Sequence, residues 1–171
     1  MRAALLVDSS NLFYCIGKRW PERRLDYDKW VEAIKAEVEI VASFAYGAQI
    51  NDQAKGFITC LRHLDFIVRY ISVDGSEEKD AIKQQLKQHN WNVQIAIDAL
   101  NVLGNVDIVI LGSTDKNLAP LISHIIDKGK KCYIYACGIP QMFKELGVKA
   151  IEIKDDLLIE IKPDENGEES E

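Results

Sequence analysis

Short runs of β-branched and other apolar residues alternate along the chain with stretches whose apolar positions recur at helical spacing. That alternation builds a parallel sheet with helices on both faces. Strands are predicted over residues 3–8, 40–46, 66–72, 106–111, 131–136 and 150–153. Helices are predicted to begin near Ser10, Tyr27, Asp52, Ser76, Asn92, Leu118 and Pro140, with Asp26, Asn51 and Asn92 as caps and Gly104 and Gly129 as stops. The expected architecture is a three-layer α/β/α domain with a mainly parallel central sheet. It fills residues 1–160 and leaves 161–171 as a tail.

The first and fourth predicted strands each end in a small polar cluster. One reads Leu5-Leu6-Val7-Asp8-Ser9-Ser10-Asn11, the other Val109-Ile110-Leu111-Gly112-Ser113-Thr114-Asp115. A strand buried on both faces has no solvent side for polar residues, so these carboxylates mark the points where the strands emerge. In open parallel sheets, ligands bind beyond the carboxyl ends of the strands, at the topological switch point. If the two strands are neighbours, Asp8 and Asp115 converge. A third segment, Trp91 to Leu103, is apolar around most of a helix and is expected to be largely buried. Asp98 within it needs a partner, because an isolated buried carboxylate is costly. Gln94 and Asn101 share its helical stripe. Taken alone, Asp98 reads equally as a helix residue bonded to nearby backbone.

With 171 residues, 47% hydrophobic and 28% charged, the chain has the balance of one compact domain. The apolar stretch after Met1 is too short for a signal peptide, and no run approaches the roughly 18 residues of a membrane span. A cytoplasmic protein without membrane contact is therefore expected. Cys15, Cys60, Cys132 and Cys137 lack paired zinc spacing and disulfide density, and read as reduced, partly buried thiols. His63, His89 and His124 show no ligand spacing. The net charge of −6 argues against a nucleic-acid partner until its distribution is considered: the tail, with Asp164, Glu165, Glu168, Glu169 and Glu171 against Lys162, holds −4 of it. That tail is expected to be disordered. Lys18-Arg19-Trp20-Pro21-Glu22-Arg23-Arg24 places four bases and an aromatic in one predicted loop, suited to phosphate contacts and base stacking. Lys116, and Lys83 and Lys87 one turn apart, extend the candidate basic surface, although such charges are also ordinary on a solvated face.

The three polar segments together resemble the NYN family of PIN-like nucleases, over residues 3–153. The family opens with a strand ending in Val-Asp-Gly-x-Asn, here Val7-Asp8-Ser9-Ser10-Asn11. It continues with a Val-Asp-Val-x-Leu-x-x-Asp helix, which we match to Val93-Gln94-Ile95-Ala96-Ile97-Asp98. It closes with Ser-Gly-Asp-Ser-Asp-Phe-x-Pro-Leu, similar to Ser113-Thr114-Asp115-Lys116-Asn117-Leu118-Ala119-Pro120-Leu121. The resemblance implies a Mg2+- or Mn2+-dependent ribonuclease in which Asp8, Asp98 and Asp115 are the acidic catalytic and metal-site residues. Asn117 would be a further oxygen donor. Asn11, Ser113, Thr114 and Gln94 would position the substrate, and Lys18, Arg19, Arg23, Arg24 and Lys116 would bind RNA.

Three departures bear on activity. Asn117 and Gln94 stand where the family has aspartates, keeping a carbonyl oxygen for a hard cation but removing charge, and Thr114 replaces a glycine. A weakened cation site follows, and with it an alternative reading: a nuclease-derived module that binds RNA or protein without cleaving. A phosphatase-like or nucleotide-binding domain is a third reading, disfavoured by the lack of a Walker-type loop and of Asp-x-Asp after the first strand. The expected partner is RNA, single-stranded or structured, with a second copy of the chain or another protein as a further candidate partner.

Overall fold

A computed structural model describes residues 1–50, 55–73, 76, 80–81 and 90–161. Eight strands are described: β1 (Arg2–Asp8), β2 (Arg23–Leu25), β3 (Glu39–Ile50), β4 (Ile67–Val73), β5 (Ile108–Gly112), β6 (Lys131–Ala136), β7 (Lys149–Glu152) and β8 (Leu158–Glu160). The described α-helices are α1 (Ser9–Arg19), α2 (Tyr27–Lys35), α3 (Lys55–His63), α4 (Trp91–Val102), α5 (Ala119–Asp127) and α6 (Gln141–Glu145). The predicted helix start at Asp52, the cap at Asn51, most of the segment after Ser76, and the tail from residue 162 lie outside the described residues.

Six strands form one parallel sheet in the order β4-β3-β1-β5-β6-β7. The chain builds outward from β1 through β3 to β4, then returns to begin again at β5. The switch point therefore lies between β1 and β5, whose register runs from Ala3↔Ile108 to Val7↔Gly112. β1 is bonded along both edges, and Ala3 to Val7 are all buried, as their unbroken apolar run requires.

Side chains alternate between the two faces, and the packing partners show helices on each. A Cβ added to Gly112 would lie 3.2 Å from both Val7 Cγ1 and Trp30 Cη2, so α2 covers the face to which Val7 points. Tyr46, level with Asp8 one residue further along the register, turns to the opposite face and donates a hydrogen bond to Asp98 of α4 at 2.9 Å.

All six predicted sheet strands are present, β6 with the predicted ends and the others with shifted ends. β3 runs on to Ile50 because β4 continues beside it after β1 has ended at Asp8↔Tyr46. There Gly47 is required by close approach: an added Cβ would meet Tyr70 Cζ at 2.7 Å, so the missing side chain lets the phenol lie across β3. Asp26 caps α2 as predicted, and Gly129, at φ 72°, ends α5.

Four expectations change. Asn90, rather than Asn92, caps α4, its side chain accepting the Asn92 N–H at 3.0 Å. α4 is not buried all round, because Val93, Ile97 and Leu100 are exposed while Ile95, Asp98 and Ala99 face the sheet. Asn101 is exposed, so it does not continue the polar pair of Gln94 and Asp98. The basic segment is not one loop: Lys18 and Arg19 end α1, and Arg23 and Arg24 belong to β2, which pairs antiparallel with β8. These two strands have three residues each, too short for periodicity to announce.

Trp30 is fully buried and edge-packed on Tyr27 and Tyr135, joining α2 to the sheet. Trp30→Ala is expected to cost about 3–5 kcal/mol, measured by urea unfolding. A loss below about 1 kcal/mol would contradict this placement.

Candidate active site

The junction of β1 and α1 meets the loop after β5 at the switch point. Asp8 ends β1 and caps α1, its Oδ1 accepting the Asn11 N–H at 3.0 Å. Asn11 then reaches across to the β5 loop, where its Oδ1 accepts the Thr114 backbone N–H at 2.9 Å and the Thr114 hydroxyl at 3.1 Å. Cys15 Sγ lies 3.2 Å from the same hydroxyl. Thr114 thus adds a bond to this junction, and no positive φ is needed at its position. On the other side Ser113 Oγ accepts the Asp115 N–H at 3.2 Å. Asp115 caps the short 3-10 turn Lys116–Leu118: Oδ1 accepts the Asn117 N–H at 2.9 Å, and Oδ2 accepts from Asn92 Nδ2 at 2.8 Å. Both acids therefore stand at the start of helical turns, where backbone N–H groups favour negative charge.

The pair is electrostatically loaded. Burial is the main reason that the Asp8 carboxyl is pushed up to about 6; the N–H groups of Asn11 and Ser10 oppose the rise, and the charge of Asp115 adds to it. Tyr27 of α2 and Tyr70 of β4 lie within electrostatic reach of Asp8. Burial raises both phenols, Tyr70 to about 12, and the charge of Asp8 contributes to each rise.

Asp98 is held differently. It is buried on the face of α4 that meets the sheet, accepting from Tyr46 Oη at 2.9 Å, Arg69 Nε at 2.6 Å, Arg69 Nη2 at 2.9 Å and Gln94 Nε2 at 3.3 Å. The structure thus joins Asp8 to Asp115 and sets Asp98 in a separate ion pair. It also moves one of the substitutions. The two aspartates of the helix motif are six residues apart, and counting back from Asp98 gives Asn92, not Gln94. Asn92 is the residue whose side chain reaches Asp115, whereas Gln94 serves Asp98. The spacing within the motif was the signal that could have found it.

Asn117 and Lys116 are exposed beside Asp115, and Lys18 is exposed at the end of α1. Arg19 is turned aside, stacked over Trp20 and 3.7 Å from Glu152. Arg23 and Arg24 lie in the ribbon, opposite Glu160 and Ile159. Lys83, Lys87 and His89 lie outside the described residues; His63 and His124 are exposed on α3 and α5. All four cysteines are free. Arg69, Tyr46, Tyr70 and Asn92 are the neighbours that sequence reasoning missed. Arg69 had a signal, as a lone charge within the apolar run Ile67 to Val73.

Among the described residues, no group of three His, Cys, Asp or Glu is arranged to hold a metal ion. The chemistry nonetheless fits one divalent cation with two protein carboxylates. Asp8 and Asp115 repel each other in a desolvated corner, and the buried Oδ1 of Asn92 has no hydrogen-bond partner, leaving an oxygen donor beside them. Magnesium is commonly bound through one or two carboxylates, with waters and substrate phosphate completing its shell.

The sequence profile of the NYN domain family matches residues 2–152. No curated protein matches. Among solved structures, the chain is similar to a Vibrio parahaemolyticus protein of unknown function, with 27% identity, a TM-score of 0.76, and coverage of 92% of this chain and 96% of that one. No described helix is long and apolar enough to cross a membrane.

Asp8 also sets a pH dependence. Its proton leaves near 6 in the folded chain and near an ordinary value of about 4 in the unfolded one, so between these the folded state binds more protons. Stability therefore falls as pH rises through this window, by up to about 3 kcal/mol. Asp8→Asn keeps a capping oxygen and removes the charge. In chelator the variant should melt higher than the parent at pH 8 and close to it at pH 4. Equal destabilisation at both would contradict the assignment.

Proposed function

Because the chain belongs to the NYN domain family, we propose that it is a metal-dependent ribonuclease whose cation is held by Asp8 and Asp115 in the crevice between β1 and β5. The observation that carries this reading is the convergence of the two carboxylates on the switch point, with Asp8 raised to about 6 partly by the charge of Asp115. A divalent cation relieves that repulsion most directly. Bound there, Mg2+ or Mn2+ supplies positive charge against the scissile phosphate and a more acidic water.

The chain's own residues do the positioning. Asn11, in the first turn of α1, ties the end of β1 to the loop after β5, so the separation of the two carboxylates is fixed before any ligand arrives. Ser113 and the Asn117 N–H orient Asp115, and Asn92 holds its second oxygen. Lys18, at the end of the helix that Asp8 caps, and Lys116, next to Asp115, are exposed bases and give an RNA backbone its first attraction.

A second reading is favoured by a specific observation. Asn92 stands on the cation side of Asp115 where relatives carry an aspartate, and the exposed Asn117 replaces another. With both charges gone, the chain acts as an RNA-binding or protein-interaction module derived from a nuclease.

Cleavage of single-stranded and structured RNA with Mg2+ or Mn2+ separates the two. For a ribonuclease, Asp8→Asn and Asp115→Asn should each lower turnover ~100-fold or more, the scale of losing a main stabiliser of transition-state charge. Turnover that survives both substitutions would sink the proposal. If the parent is inactive and Asn92→Asp with Asn117→Asp creates cleavage, the second reading holds.

A further inference from the structure

We propose that Arg69 is a phosphate-binding residue for RNA, and that Asp98 is the carboxylate that orients it. This rests on the nucleic-acid reading above and adds to it a recognition site apart from the two carboxylates.

Arg69 and Asp98 form a bidentate pair, Nε to Oδ2 at 2.6 Å and Nη2 to Oδ1 at 2.9 Å. The partners differ in exposure. The Asp98 side chain is 4% exposed and that of Arg69 38%. A carboxylate so buried must be paired and bonded, and Tyr46 and Gln94 complete its shell. The two parallel bonds fix the guanidinium plane, and Phe44 supports it with its ring centre 5.7 Å from Arg69 Cζ. One edge of the fork is thus committed inward. Among the described residues nothing takes the N–H groups of the other edge, and the side chain as a whole is partly exposed. A rigid arginine whose outer fork has no partner among the described residues suits a phosphodiester, whose paired oxygens match two N–H donors.

Its place in the fold supports the same ligand. Asp8, Tyr46 and Arg69 occupy one register row across β1, β3 and β4, so Asp8 and Arg69 are separated by two strand spacings, about 10 Å. Along α4, Asn92 at Asp115 and Asp98 at Arg69 are about 9 Å apart at 1.5 Å per residue. A strand cleaved at Asp8 and Asp115 can therefore rest a neighbouring phosphate on Arg69. The pair is neutral overall, so the arginine acts through directed hydrogen bonds more than through net attraction.

The test uses the full chain, a short single-stranded RNA and fluorescence anisotropy in chelator, so that neither metal nor cleavage enters. Arg69→Gln should weaken binding about 10-fold, and Arg69→Lys, which keeps the charge against Asp98 but loses the fork, about 5-fold. Asp98→Asn should also weaken it, about 3-fold or more, although a negative charge has been removed. In a separate measurement with Mn2+ alone, Asp98→Asn should bind the ion like the parent, while Asp115→Asn should not. If Arg69→Gln fails to fold, Arg69→Lys carries the test. Lower melting temperatures with unchanged RNA affinity in the Arg69 variants would make the pair structural and overturn the inference. So would tighter RNA binding in Asp98→Asn, or loss of its Mn2+ binding. An inability of the parent to bind RNA in low salt would instead remove the nucleic-acid reading itself.

Discussion

The placement of β1 between β3 and β5 is the constraint on which the rest depends. Its backbone groups are paired along both edges and its side chains are covered on both faces, so nothing polar is accommodated until the strand leaves the sheet. Asp8 is the residue at which it leaves. β5 ends at the same level, and each strand hands over to a helical turn whose first N–H groups need an acceptor. Burial of the central strands and capping of the turns thus bring two carboxylates to one place, before any requirement of chemistry is considered.

The acids near this edge are kept by opposite means. Asp98 is the most buried and is neutralised within the chain, by a bidentate arginine, a phenol and an amide. Among the described residues, Asp8 and Asp115 have backbone N–H groups and one amide, which orient them but leave their charges uncompensated. Burial then raises the Asp8 carboxyl, and the second charge adds to the rise. A fold that satisfies one acid completely and leaves two loaded has a corner fit for a cation and an adjoining fixed arginine.

The two amides bear on that corner unequally. Asn92 touches Asp115 and carries a buried oxygen without a partner, whereas the side chain of Asn117 stands out from the surface turn. A change at residue 92 therefore acts on a close, part-buried contact and one at 117 on a solvated one, and charge matters more where water screens it less. Membership of the NYN domain family gives the nuclease class, and these two residues decide how much of its chemistry the site supports.

By itself the sequence determined the sheet strands, their parallel class and the exits of β1 and β5, because a strand covered on both faces writes an unbroken apolar run that only its end can interrupt. It also established that Asp98 required a partner, since buried charge is costly whatever surrounds it. It could not say that the partner was Arg69, because that pair depends on β4 lying two strands from β1 and on α4 crossing the sheet at Tyr46. The choice between Gln94 and Asn92 was legible in the six-residue spacing of the motif, and the packing of α4 agrees with it: Asn92 faces Asp115 and Gln94 faces Asp98. The ribbon of β2 and β8 was invisible because three residues hold too little periodicity, and their pairing joins segments far apart in the chain. Burial pattern is local and leaves its mark in order along the chain; partnership between side chains is set by the crossing of elements, and only the tertiary structure decided it.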